Sequence, residues 1–199
     1  MDGHIIRMAK ISNREKILCA GVQVVHERGF GGASVRDIVQ AAGVPQGSFT
    51  NHFASKEAFG LEVLDLYFQQ SLELFAETLR NPARPPLERL GAFLDATIER
   101  ISNEGMCHGC MIGNFAAETS PDGAIQPRLV EIFSEVRDAL ALCLGDAVKA
   151  GELRADFECE EIAAFLTMAL QGANLLAKVE RSAEPMKRLK RVAFDSLLR

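Results

Sequence analysis

Residues 34–57 read Ser-Val-Arg-Asp-Ile-Val-Gln-Ala-Ala-Gly-Val-Pro-Gln-Gly-Ser-Phe-Thr-Asn-His-Phe-Ala-Ser-Lys-Glu. Ser34 is an N-cap type, and Asp37 puts a carboxylate in the first turn, near the positive end of a helix. Val35, Ile38, Val39 and Ala42 form one apolar face at helical spacing. Gly43 stands where a chain leaving a helix needs a positive φ. Pro45 suits the first turn of a second helix, where its missing N–H would be unpaired anyway. Val44, Phe49 and Phe53 can hold that second helix to a core. Gln46, Ser48, Thr50, Asn51 and His52 are expected to face outward, with hydrogen-bonding groups sized for a major groove. Ser55 caps a third helix beginning at Lys56, whose ammonium is expected close to a DNA phosphate. The pattern is that of a helix-turn-helix. The plain alternative is an αα-turn with a polar surface, which is common in all-helical proteins.

Around this stretch the chain reads as all-α. It has 199 residues, one Tyr, no Trp and a net charge of −5. Few runs are rich in β-branched residues, and Ala, Leu and Glu dominate long periodic stretches. Charge is unevenly placed: residues 1–57 carry seven Lys or Arg against five Asp or Glu, and residues 58–199 carry fifteen against twenty-two. A mildly basic head on an acidic body is compatible with phosphate contact at one end only. No apolar run approaches the roughly 18 residues of a membrane span, and the N-terminus lacks a signal-peptide core. The expected location is cytoplasmic. The five cysteines are odd in number and scattered through helical patterns, which does not suit a secreted disulfide framework.

Residues 1–12, with His4, read as a loose tail. A first helix capped by Asn13 is expected to run to about Arg28 and to end at Gly29, with His26 on its surface. The fourth helix is expected over about 56–80, before the breaker Asn81-Pro82-Ala83-Arg84-Pro85-Pro86. Further helices are expected over about 87–103, from near Gly109 through Glu118, and over 126–150, 158–178 and 185–198. The segment 162–176 is apolar almost all round and must be covered on most sides. Small residues at Ala169, Gly172, Ala173 and Ala177 permit close helix approach. It reads either as the buried centre of a monomeric bundle or as a homodimer seam.

Residues 13–71 resemble the N-terminal domain of the TetR family of transcriptional regulators. The match runs through Ile17, Leu18, Ala20, Gly29-Phe30, Val35, Ile38, Ala42-Gly43-Val44, Gly47-Ser48-Phe49, His52-Phe53 and Ser55-Lys56-Glu57. It departs where the family commonly has a Tyr before His-Phe; here Thr50 and Asn51 occupy the region. The resemblance implies a helix-turn-helix domain over 11–71 and a helical effector-binding and dimerisation domain over 72–199. It implies a repressor of transcription rather than an enzyme, with no metal or other cofactor. The expected DNA-contact set is Ser34, Arg36, Gln46, Gly47, Ser48, Thr50, Asn51, His52 and Lys56. The expected partners are a second copy of the chain, a palindromic operator in double-stranded DNA, and a small-molecule or electrophilic effector. The seam is expected from the last two helices, through Phe165, Ala169, Gly172, Ala173, Leu176, Leu189, Val192 and Ala193. Two recognition helices spaced by one turn of DNA, roughly 34 Å, read a palindrome better than one. A pocket among helices four to eight is expected, lined by Phe68, Phe93, Thr97, Phe115, Phe133 and Asn174.

Cys107-His108-Gly109-Cys110 admits several readings. Zinc would need about four ligands, and one C-x₂-C with an adjacent His supplies at most three. A redox pair expects a βαβ context, and a c-type haem expects His directly after the second Cys, where Met111 stands. The two cysteines can be small buried hydrophobes. Cys110 can also be a reactive thiol at a helix N-terminus, with Lys178 as a distant cation. Gly109-Cys110-Met111, Ala117-Glu118 and Gly172–Lys178 are similar to the NemR-like subgroup of the family, which senses electrophiles and oxidants. That likeness implies Cys110 as sensor with Lys178 near it; Cys107, three residues before Cys110, is an additional thiol that can act as a resolving partner. Cys19, Cys143 and Cys159 read as packing residues. The rivals to a DNA reader are a helical adaptor and an enzyme using the Cys107–Cys110 segment, with His108 and Glu118 in its pocket.

Overall fold

The computed structural model describes residues 11–103, 105–120 and 122–199. The expectations for His4 and the first ten residues lie outside the described residues. Among those described, the structure is helical throughout: α1 (Asn13–Gly32), α2 (Val35–Ala41), α3 (Ser48–His52), α4 (Lys56–Glu77), α5 (Pro86–Asn103), α6 (Met111–Glu118), α7 (Ile125–Lys149), α8 (Cys159–Glu180) and α9 (Glu184–Val192), closed by a π-helical turn at Ala193–Leu197.

Local chemistry sets most of the boundaries. Ser12, not Asn13, caps α1: its hydroxyl accepts from the Glu15 N–H at 3.2 Å, and the Glu15 carboxylate accepts the Ser12 N–H at 2.8 Å. The same reciprocal box opens α2, between Ser34 and Asp37 at 3.1 Å each way. Gly29, at φ 78°, breaks the helical path of α1 before one more turn completes it. Gly43, at φ 63°, releases α2 as expected. The fourth helix is three residues shorter than expected, because Thr78 leaves helical geometry at φ −116° and ψ −83°. The last helix gives way to the π-turn at Ala193.

Helices α1 to α3 pack around Ile17, Val25, Ile38, Phe49 and Phe53. Phe49, Phe53 and Phe59 form a triangle of ring contacts at 5.1–5.2 Å that ties α3 to α4. Helix α4 carries this core into the body through Val63, Leu64, Phe68 and Phe75. In the body, α7 and α8 pack most extensively on each other, α9 lies on α8 and α5, and α6 rests chiefly on α1. Arg128 on α7 joins Asp65 of α4 at 2.7 Å and Glu131 and Glu135 of its own helix at 3.0 and 3.1 Å.

Helix α8 corrects the expectation about apolar runs. Over 22 residues it is long and apolar enough to cross a membrane by length and composition alone, and one side of it is buried against neighbouring helices. Its other face is uncovered: Phe165, Met168, Leu175, Leu176 and Val179 are all exposed, Met168 at 67% and Val179 at 70%.

Candidate functional site

The head presents a compact polar surface at the helix-turn-helix. Arg36, Gln46, Gly47, Thr50, Asn51 and His52 are exposed on α2, α3 and the turn between them. Ser48 is the exception to the expected set: it is 9% exposed and points into the core rather than outward. Ser48 and Phe49 open α3 on its buried side, and the next residues, Thr50, Asn51 and His52, turn outward. The Ser34 hydroxyl is engaged with Asp37, and the Thr50 hydroxyl donates to the Gly47 carbonyl at 3.1 Å. Each oxygen retains acceptor capacity toward a donor, but neither proton points freely to a phosphate. Lys56 is half-buried; its ammonium donates to the Gly31 carbonyl at 3.4 Å and lies 4.9 Å above the Phe30 ring. Two of its three protons stay available.

The second site surrounds the thiol segment. Helix α6 begins one residue later than Cys110, which takes the N-cap position. Gly109 precedes it at φ 71°, a conformation that explains why the segment before Cys110 is not helical. Cys110 lines two spaces. One is an outer cleft of about 270 Å³ between α6 and α8, walled by Gly109, Gly113, Ala117, Gly172, Leu175 and Lys178. The other is an inner cavity of about 40 Å³, which brings Cys110 together with Phe93, Thr97, Arg100 and Asn174. Lys178, expected as a distant cation, thus shares the outer cleft with Cys110. The polar groups of the inner cavity are partly committed: Thr97 donates to the Phe93 carbonyl at 2.8 Å and Asn174 to the Leu170 carbonyl at 2.9 Å.

The remaining lining residues divide differently. Phe68 and Phe115 are each 1% exposed and belong to the core. Phe133 lines a separate groove of about 660 Å³ on the outer side of α7 and α8, with Val130, Arg137, Ala164 and Met168. The expected seam residues also divide: Phe165, Gly172, Leu176 and Val192 are exposed and Ala169 and Leu189 half-buried, whereas Ala173 and Ala193 are buried within the chain's own core. Ala173 faces into the bundle one residue on from exposed Gly172, as a helix turning 100° per residue requires.

Three contacts escaped the sequence reading because their partners lie far apart in the chain. The Arg181 guanidinium donates to the Cys107 sulfur at 2.7 Å, across 74 residues. The His26 ring, expected on the surface, hydrogen-bonds through Nε2 to the Gly109 carbonyl at 2.9 Å and lies 5.2 Å from the His108 ring. The Glu118 carboxylate accepts the Gly31 N–H at 2.6 Å. His108 and Glu118 are therefore both turned toward α1. The other cysteines span the whole range of exposure. Cys19 is exposed, Cys159 half-buried and Cys143 buried. Burial pushes the Cys143 thiol up to about 11, with the Arg89 guanidinium opposing the shift. Only Cys143 is fully the packing residue expected. Among the described residues no three His, Cys, Asp or Glu side chains converge as metal ligands would.

Comparisons with known proteins cover both parts of the chain. Residues 17–63 match the family model of bacterial regulatory proteins of the tetR family, and residues 86–193 match that of the tetracyclin repressor-like C-terminal domain. The HTH-type transcriptional repressor DhaR of Mycobacterium sp. (strain GP1) is 38% identical over 192 residues, covering 96% of this chain and 95% of DhaR. The crystal structure of a TetR regulatory protein from Rhodobacter sphaeroides superposes with a TM-score of 0.85 at 28% identity, over 90% of this chain and 96% of that one. The reduced form of Escherichia coli NemR superposes with a TM-score of 0.83 at 28% identity, over 92% and 95% of the two chains.

Proposed function

Because the chain belongs to the TetR family of bacterial regulatory proteins, we propose that it is a homodimeric repressor whose hold on a palindromic operator is released by modification of a thiol in its body. Membership itself makes the chain a sequence-specific DNA-binding regulator of transcription and not an enzyme. The head over 11–71 takes the operator half-site in this reading. Arg36, Gln46, Gly47, Thr50, Asn51 and His52 face the groove, and Lys56 meets a phosphate. The body over 72–199 carries the effector site and the seam, and the repressor acts in the cytoplasm.

The observation that carries the sensor reading is the position of Cys110. It caps α6 at the junction of an open cleft and an inner cavity, with Lys178 on the cleft wall. A reagent entering the cleft meets the sulfur at the start of the helix that rests on the head. Cys107, held by Arg181, is a second thiol on the same segment. DhaR and NemR are both HTH-type transcriptional repressors, which supports the direction of regulation. The exposed face of α8 supports the dimer, since a soluble chain seldom leaves five large apolar side chains on one helix face uncovered. Release follows if modification favours a body conformation in which the two heads no longer match the half-site spacing.

The test is fluorescence anisotropy with duplex DNA from the flank of the protein's own gene, with and without N-ethylmaleimide. The wild-type protein is expected to bind in a salt-sensitive way and to dissociate on modification, while Cys110→Ser stays bound under the same treatment. A Cys110→Ser protein that dissociates like the wild type would remove Cys110 from the role.

A further inference from the structure

The short turn Gly29-Phe30-Gly31 joins three elements. Gly29 kinks α1 at φ 78°, which redirects the last turn of the helix so that Phe30 and Gly31 meet both α6 and the start of α4. The Phe30 ring stacks on Phe115 of α6 at 5.0 Å between centroids. The Lys56 ammonium at the start of α4 sits 4.9 Å from the centroid of the same ring. Phe30 packs closely on Gly60 of α4, where an added methyl group would lie only 2.5 Å from its ring. Gly31 is gripped at both of its backbone groups: its N–H donates to Glu118 of α6 at 2.6 Å, and its C=O accepts from Lys56 at 3.4 Å. One residue of the body and the cation of the head are thus two hydrogen bonds apart.

We propose that Glu118 is a positioning residue for DNA binding: by anchoring the Gly29–Gly31 turn to α6, it fixes the Lys56 ammonium where a DNA phosphate meets it. The role rests on the reading that Lys56 contacts a phosphate. A lysine on a four-carbon stem is otherwise free among many rotamers, and holding it costs conformational entropy at the moment of binding. The Gly31 carbonyl and the Phe30 ring meet that cost in advance. They do so only while the turn itself is held, and Glu118 holds it with a charge-assisted bond. The turn lies at the opposite end of α6 from Cys110, so a displacement of that helix reaches the ammonium through this carboxylate and through the Phe115–Phe30 stack beside it.

The test reads the salt dependence of binding, in which each phosphate neutralised contributes a slope of about −0.9 in log K against log [salt]. The probe is duplex DNA from the flank of the protein's own gene, with an unrelated duplex of equal length beside it. Lys56→Ala is expected to reduce the slope by about 0.9 per head. Glu118→Ala is expected to cause the same reduction, and the double variant no further one, because both remove a single contact. Glu118→Gln keeps an acceptor at the same reach and is expected to retain the wild-type slope. Glu118→Asp, one methylene shorter, is expected to fall between. Glu118 is exposed on α6 and each variant loses or weakens one bond, so these variants are expected to unfold within about 2–4 °C of the wild-type temperature, which a thermal scan checks. A Glu118→Ala protein with the full slope, beside a Lys56→Ala protein that has lost it, overturns the role of Glu118 and leaves the Lys56 contact standing. An unchanged slope in Lys56→Ala overturns the phosphate contact and the positioning role together.

Discussion

At the scale of single residues, the head is held by reciprocal bonds between neighbours in sequence. The Asp37 carboxyl is kept below its ordinary value by the Ser34 hydroxyl, then by the Ser34 N–H, with Arg28 adding a smaller effect. Glu15 is lowered in the same way by the Ser12 N–H and hydroxyl. A carboxyl whose folded value is depressed contributes stability above its unfolded value, near 4, and loses that contribution as the pH falls through the folded value. Ser34→Ala is therefore expected to lower Tm by about 2–4 °C at neutral pH. The gap from wild type should narrow as the pH is taken down through 4 toward 3, in thermal unfolding followed by circular dichroism. A gap independent of pH would mean that the Asp37 charge takes no part. The cysteines separate on the same scale. With its thiol raised to about 11 and its side chain buried beneath the Pro86 carbonyl, Cys143 is expected to escape alkylation at pH 8 until the protein unfolds. Exposed Cys19 should be modified early, and peptide mass spectrometry over a time course reads both.

At the scale of elements, what the sequence made legible was whatever neighbours decide. Gly43 and the Ser34–Asp37 box mark the limits of α2 within a few residues of themselves, and the alternation of Val35, Ile38 and Val39 shows its inner face. Contacts across the fold were not legible, because nothing near His26 or Glu118 in the chain betrays a partner 83 or 87 residues away. The start of α6 lay between these cases: its glycines were visible, but only the positive φ of Gly109 puts Cys110 at the cap rather than inside the helix. Helix α8 read correctly as apolar on most sides, while its division into a covered and an uncovered face needed α7 and α9 in place. Ala173 fell on the covered side for that reason. The uncovered face gives an element-level prediction. Phe165→Glu with Met168→Glu changes only exposed side chains, so the fold should survive. Sedimentation velocity is expected to show a shift from dimer to monomer, and operator affinity should fall by at least tenfold as the two half-sites lose their link. A double variant that sediments like the wild type would place the seam elsewhere.

At the scale of the whole molecule, head and body share one hydrophobic core that runs without interruption from Ile17 to Leu198. Helix α4 carries it lengthwise, and α6 adds a second connection through Phe115 and Phe30. Arg128 fastens α7 to the exposed side of α4 at Asp65. With three bridges of packed or charged contact, the head has no independent surface on which to open. The protein is expected to unfold in one calorimetric transition, with van't Hoff and calorimetric enthalpies in agreement. Two resolved transitions would show that the head melts by itself.

Arg181 ends α8 in the left-handed conformation, at φ 50°, where a side chain costs about 1 kcal/mol or more and glycine costs nothing. Selection for heat resistance alone would let this position drift to glycine. The drift would leave the helix end intact and take away the guanidinium that reaches the Cys107 sulfur. Which residue descendants of this chain keep at 181 is therefore a record of what the lineage has been asked to preserve: glycine where only the fold is under pressure, arginine where the thiol beside it matters to the cell.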